Sequence, residues 1–169
     1  MKRVLITGMS GTGKSAVIRE LAVRGHRAQD LDTPEWSHWV DADPTDGLTP
    51  AKGQDWVWRE DRVRGLLSTP EDGVLFISGC AANMHRLYPL IETVILLSAP
   101  VDTIMQRLSA RSADGYGHTA EERRKVGELI AAIEPLLRRS AHHEIDTSGP
   151  VAATVDLILR LVSDPLHAV

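Results

Sequence analysis

Apolar positions follow two periodicities along the chain. Three short continuous runs, residues 4–7, 74–78 and 94–97, are rich in β-branched side chains, the pattern of strands buried on both faces of a parallel sheet. Two weaker strand candidates cover residues 26–29 and 144–145. Between these runs the apolar spacing becomes helical: over 14–23, over 61–67 with Val63, Leu66 and Leu67 on one face, over 101–111 with Val101, Ile104, Met105 and Leu108, and over 151–162. A charged start at 119 leads into Val126, Leu129, Ile130 and Ile133 and predicts a helix to residue 139 that Pro135 kinks or interrupts. The alternation of strands and helices predicts an α/β domain, and 169 residues suit one such unit.

Two segments break the pattern. Residues 33–58 are polar, rich in Pro, Gly and Asp, and hold all four tryptophans, Trp36, Trp39, Trp56 and Trp58. Residues 112–119, SADGYGHT, form a glycine-containing polar stretch between two helices. Long irregular insertions of this kind are expected to be binding loops or lids. The tryptophans, with His38, Asp55 and Arg59 among them, either line a pocket for a ring-bearing or nucleoside-like ligand or pack on one another in a small helical cap.

Composition narrows the class of function. Hydrophobic residues make up 43% and charged residues 25% of the chain, which excludes a disordered or fibrous protein. The 19 Lys and Arg against 23 Asp and Glu leave a net charge of −4. Such a balance repels a polyanion on average, so neither nucleic acid nor a membrane surface is an expected partner. No apolar run approaches the ~20 residues that span a bilayer, and the N-terminus reads as a strand and not as a signal peptide, so the cytoplasm is the expected address. The single cysteine, Cys80, can form neither an internal disulfide nor a cysteine-based metal site.

The first strand runs directly into GMSGTGKS, Gly8 to Ser15, which fits the phosphate-loop pattern GxxxxGKS in its required place between a strand and a helix. Backbone amides across Gly8, Ser10, Gly11, Thr12 and Gly13 can turn inward around a phosphate, and a helix starting at Lys14 adds its positive end. The predicted occupant is a polyphosphate. Lys14 then meets the β- and γ-phosphate oxygens, Ser15 is a ligand for Mg²⁺, and Ala16 completes the nucleotide-binding set. ATP and Mg²⁺ are therefore expected.

A phosphate loop alone fits kinases, GTPases, ATPases and motors. The GTPase base-reading pattern NKxD is absent, and the strand over 74–78 ends in Ser78-Gly79 where motor ATPases carry an Asp-Glu pair. Both observations favour a small-molecule kinase. After the second strand comes Asp30-Leu31-Asp32. In an extended segment both carboxylates lie on one side, near the strand ends where such sheets bind ligands. One can then hold metal-bound water while the other accepts a hydroxyl proton. Alternatively, or in addition, Asp32-Thr33-Pro34 starts a helix as an N-cap.

These residues resemble the shikimate kinase, gluconate kinase and nucleoside monophosphate kinase group of P-loop proteins, and the resemblance in element order spans nearly the whole chain. It implies a three-layer α/β/α fold around a five-stranded parallel sheet of order 2-3-1-4-5, as a single domain carrying a substrate-binding insertion at 33–58 and a lid at 112–119. By that resemblance Asp30 sits near Mg²⁺ and Asp32 meets the acceptor hydroxyl. The segment Leu96-Leu97-Ser98-Ala99-Pro100, followed by Gln106-Arg107-Leu108 and Arg111, is similar to the group's fourth strand and following helix. It implies that Arg107 stacks on adenine and that Arg111 swings in with the lid to the transferring phosphate. Asp146-Thr147-Ser148-Gly149-Pro150 resembles the loop flanking adenine and adds Ser148, Gly149 and Pro150 to the nucleotide set. The acceptor side departs from the named members. Gly79-Cys80-Ala81 stands where shikimate kinases carry a triple glycine, Trp58-Arg59 only echoes their Phe-Arg pair, and the Asp-Gly-Phe-Pro-Arg of adenylate kinases is missing.

The expected activity is transfer of the γ-phosphoryl group of ATP to a hydroxyl or phosphate of a small metabolite, nucleoside or nucleotide. Lys14, Asp32 and Arg111 are the expected catalytic residues, with Asp32, Trp36, Arg59, Gly79 and Asn83 around the acceptor. The expected partner is this small molecule, and the chain is expected to be a monomer or homodimer. The competing expectation is a nucleotide-dependent switch or slow NTPase acting on a protein partner. His142-His143 lacks a carboxylate at ligand spacing and reads as structural or surface.

Overall fold

The continuous apolar runs become the centre of a parallel sheet. The computed structural model describes residues 1–45, 49–51, 53–111 and 119–163, so most of the segment read as a lid, 112–118, lies outside the described residues. In chain order the elements are β1 (Lys2–Thr7), α1 (Lys14–Val23), β2 (Arg27–Asp30), β3 (Ser37–Asp41), β4 (Gln54–Trp58), α2 (Glu60–Ser68) and β5 (Val74–Ser78). A 3-10 helix (Met84–Leu90), β6 (Thr93–Ser98), α3 (Val101–Ala110), α4 (Ala120–Ser140), β7 (His143–Asp146) and α5 (Val151–Ser163) complete the chain. The main sheet runs β2-β5-β1-β6-β7, every pair parallel. Leaving out β3 and β4, which pair with each other in a separate two-stranded sheet, this is the expected 2-3-1-4-5 order.

Period-two alternation sends each strand's side chains into two separate cores. From β1, Val4 and Ile6 join Val17, Leu21, Val155 and Ile158 under α1 and α5. Leu5 points the other way, into a core with Val63, Leu67, Leu87 and Leu137 from α2, the 3-10 helix and α4. Helices thus cover both faces, as a parallel sheet requires. A third, smaller cluster of Ile104, Leu108, Val126 and Ile130 joins α3 to α4. Val101, read as part of that face, is exposed.

Three local expectations are corrected. The tryptophan-rich insertion is not a helical cap, and no helix starts at Asp32. A turn in which Thr33 O accepts from the Trp36 and Ser37 amides leads into the antiparallel hairpin β3–β4. The strands SHWVD and QDWVW are rich in aromatic and β-branched residues, which favour a half-buried pleated surface. Helix α4 also runs unbroken through Pro135. Pro135 and Ala131, the residue whose carbonyl loses its helical partner, are both exposed, so water can satisfy that carbonyl without a kink. The start of α4 is held by a capping box between Thr119 and Glu122. His142 is structural, its Nδ1 accepting from the Val94 amide at 2.9 Å. Among the described residues no helix is long and apolar enough to cross a membrane.

Candidate active site

Strand β1 lies between β5 and β6, and its C-terminal end opens into the crevice where open α/β sheets bind ligands. Gly8 begins the loop there with φ 152°, and a Cβ on it would stand 2.5 Å from Leu97 O, so no side chain fits. The Thr12 hydroxyl donates to Met9 O at 2.7 Å and closes the loop on itself. Gly13 is the N-cap of α1, whose first-turn amides are therefore unpaired by any capping side chain. Lys14 is 9% exposed; its Nζ donates to Gly8 O at 2.8 Å and to Met9 O at 3.3 Å. The ammonium is thus folded across the loop it serves.

The two aspartates follow from register. Asp30 at the end of β2 pairs with Ser78 at the end of β5, and the Ser78 hydroxyl donates to Asp30 Oδ1 at 3.2 Å. The other oxygen, Oδ2, accepts from the Ser15 hydroxyl at 2.7 Å. Ser15 and Asp30 together could hold a hard divalent cation such as Mg²⁺, completed by phosphate and water oxygens. Asp32 Oδ2 stands 3.9 Å from Lys14 Nζ, and its Oδ1 accepts from the Cys80 amide at 3.2 Å. Burial pushes the Asp32 carboxyl above the usual carboxylate range, opposed by the Lys14 charge and the Cys80 amide. Burial likewise pushes the neighbouring Cys80 thiol up.

Beside the loop a cleft of about 400 Å³ is bordered by Thr12, Gly13, Ala16, Arg107, Arg111 and Gly149, among others. Arg107 is in this wall, but its guanidinium is already engaged: it donates to Gly11 O at 3.2 Å, to Thr147 Oγ1 at 3.1 Å and to Thr147 O. The Thr147 hydroxyl in turn donates to Thr12 O at 2.7 Å. Thr147 is a hub that the sequence reading missed, because a threonine after a four-residue strand carries no pattern of its own. Ser148 and Pro150 do not border the cleft but shape its turn, the Ser148 amide bonding Asp146 Oδ1 at 2.7 Å and Pro150 O accepting from the first turn of α5. Ser10 is exposed at the loop tip.

The acceptor-side residues separate. Gly79 is buried beside the site, and a Cβ on it would come within 2.9 Å of Trp58 Nε1 and 3.1 Å of Asp32 Oδ1. Asn83 has both ends of its amide committed, Oδ1 accepting from the Trp58 amide at 2.8 Å and Nδ2 donating to Trp58 O at 3.0 Å. It fastens β4 to the segment after β5. Trp36 packs against the core that holds Val63 and Leu67 of α2, with the Arg62 guanidinium 4.9 Å from its ring centre. Arg59 is exposed, and its Nε donates to Pro34 O at 3.3 Å.

Sheet order, phosphate loop and the paired aspartates together define a small P-loop kinase of the shikimate and nucleoside monophosphate kinase group, a phosphotransferase. A model of the AAA domain family matches residues 4–127, and the chain belongs to that family. Shikimate kinase 2 of Enterobacter sp. (strain 638) is 28% identical over 151 residues, 86% of each chain. The structure is similar to that of the shikimate kinase from Acinetobacter baumannii in complex with shikimate, with a TM-score of 0.64 at 22% identity over 96% of this chain and 93% of that one. It is also similar to deoxyadenosine kinase from M. mycoides with bound dATP, with a TM-score of 0.58 at 10% identity over 96% and 100% of the two chains.

Proposed function

We propose that the protein moves the γ-phosphoryl group of ATP to a hydroxyl of a small molecule held against Asp32. The observation that carries this reading is the 3.9 Å approach of the Asp32 carboxylate to Lys14 Nζ. A carboxylate at that point orients an acceptor hydroxyl, and can take its proton, beside the ammonium that meets the transferring phosphate. Loop amides from Gly8 to Gly13, with Lys14, offset charge on the phosphate oxygens and hold the group in line. Arg111 borders the cleft at the end of α3 and is the residue to add a forked cation to the same oxygens. Arg107 holds the loop and the wall of the base pocket. Ser15 and Asp30 are the residues to hold Mg²⁺, which when bound supplies further neutralisation of phosphate charge.

The relatives named for shikimate make it the first acceptor to try, but Gly79-Cys80-Ala81 and the tryptophan hairpin give this chain a different acceptor wall. The test is ADP release in the presence of shikimate, gluconate, nucleosides and nucleotides. One compound should stimulate release tenfold or more, about 1.4 kcal/mol of barrier. Lys14→Ala should abolish transfer, and Asp32→Asn should cut it while sparing ATP binding. ATP hydrolysis that no acceptor in the panel stimulates would return the protein to the switch or slow-NTPase reading.

A further inference from the structure

The cleft beside the phosphate loop has most of its hydrogen-bonding groups already committed. Much of its wall is apolar or carries no side chain, from Gly13, Ala16 and Val17 to Ala110 on α3 and Val151 on α5. Its polar side chains are turned onto the main chain. The Thr12 hydroxyl is given to Met9 O and the Thr147 hydroxyl to Thr12 O, both at 2.7 Å. Arg107 spends both terminal nitrogens on Gly11 O and on the hydroxyl and carbonyl of Thr147. The loop after β7 is spent likewise. The Thr147 amide donates to Ser98 O at 2.8 Å, the Ser148 amide donates to Asp146 Oδ1 at 2.7 Å, and Pro150 has no amide to give. Arg19 is exposed, with its Nε on Ser15 O at 3.3 Å. Thr154 adds a hydroxyl to the wall, and a hydroxyl donates or accepts as a base edge requires.

We infer that this kinase selects its phosphoryl donor by the polyphosphate and takes nucleoside triphosphates of any base, with Arg107 as a positioning residue for the phosphate loop. The inference rests on the kinase reading above and adds the class of donor. Telling one base from another takes uncommitted donors and acceptors in the plane of the base, which the wrong base leaves unpaired. Here the fork of Arg107 is used by Gly11 and Thr147, while its flat face and the apolar wall suit any base, because every base has a π-face. The group common to all these donors is the triphosphate, and it meets the loop whose shape Arg107 and Thr147 hold. In transfer, the bond from the γ-phosphorus to the β-phosphate oxygen breaks and one to the acceptor oxygen forms. The acceptor's proton passes to Asp32, and the nucleoside diphosphate leaves whatever its base.

Calorimetric titration in the presence of Mg²⁺ measures Kd for ATP, GTP, CTP, UTP and inorganic tripolyphosphate, with wild type, Arg107→Lys and Arg107→Ala. In the wild type the four nucleotides should bind within about tenfold of one another, and tripolyphosphate should bind in competition with ATP. Arg107→Ala should weaken tripolyphosphate by roughly fivefold or more, a loss that a role toward the base alone does not produce. Arg107→Lys, which keeps a cation to bond the carbonyls, should restore part of it. A wild-type preference for one nucleotide of more than about tenfold would overturn the inference, and this comparison needs no variant to fold. So would an Arg107→Ala protein that binds the nucleotides weakly and tripolyphosphate as before. Acceptor-dependent release of the diphosphate separates the two readings. Transfer from a single nucleotide sinks the donor class and leaves the kinase standing; equal binding of all four with transfer to no acceptor does the reverse.

Discussion

At neutral pH the Asp32 carboxylate works against the fold that holds it. Burial raises its pKa, and Lys14 with the Cys80 amide offsets only part of that rise. A carboxyl whose folded pKa lies above its unfolded value adds stability below the unfolded value, and that contribution is lost as pH rises through the folded one. Without nucleotide and metal, Asp32→Asn should therefore melt above wild type at pH 7, with the gap closing as pH falls toward the ordinary carboxylate range near about 4. A thermal unfolding series across pH checks this, and a wild type that melts higher at pH 7 would refute it. The same substitution should lose transfer, so stability is given up here for function. Other residues were harder to read singly. The side chains of Asn83 and Arg107 are spent on backbone groups of Trp58, Gly11 and Thr147, distant in sequence, and no local spacing reports such partners.

Among the elements, those whose pattern was strong came out with little change. Helix α1 and strand β5 have the bounds that periodicity predicts, and β1, β6 and α5 differ by a residue or two at their ends. The hairpin was hidden because Pro, Gly and Asp between its strands read as loop, while SHWVD and QDWVW mix polar with aromatic positions and form no continuous apolar run. Pro135 was read locally, as a break, yet 21 residues of α4 packed through Val126, Ile130 and Leu137 hold the helix through it. Since Pro135 is exposed, Pro135→Ala restores a main-chain bond to Ala131 and touches no core contact. It should stabilise the protein by about 2 kcal/mol, the helix propensity difference of ~3 less the gain in unfolded-chain entropy. Urea unfolding measures it; an unchanged or lower midpoint would show that α4 has adapted to the proline.

Across the whole molecule, the phosphate loop is braced by the far end of the chain. Thr147 reaches Thr12 O and Ser98 O with one hydroxyl and receives Arg107 from α3, joining the β7–α5 loop, β6 and the phosphate loop at one buried point. Thr147→Val keeps the shape and removes the bonds. It should cost about 1–3 kcal/mol of stability, through the unpaired carbonyl of Thr12, and raise the ATP Kd several-fold with little effect on acceptor KM. Calorimetric titration with ATP decides, and an unchanged Kd would mean that the loop keeps its form unaided. The α/β class, the phosphate loop with Lys14 and Ser15, and the Asp30–Asp32 pair were determined by sequence alone, because each depends on residues adjacent in the chain or on a repeat of fixed period. Which tryptophans pair across the hairpin, what Arg107 and Asn83 hold, and that Thr147 matters were decided only in three dimensions. Those facts depend on strand register and on contacts between segments 25 to 135 residues apart, where packing and not local preference chooses the partner.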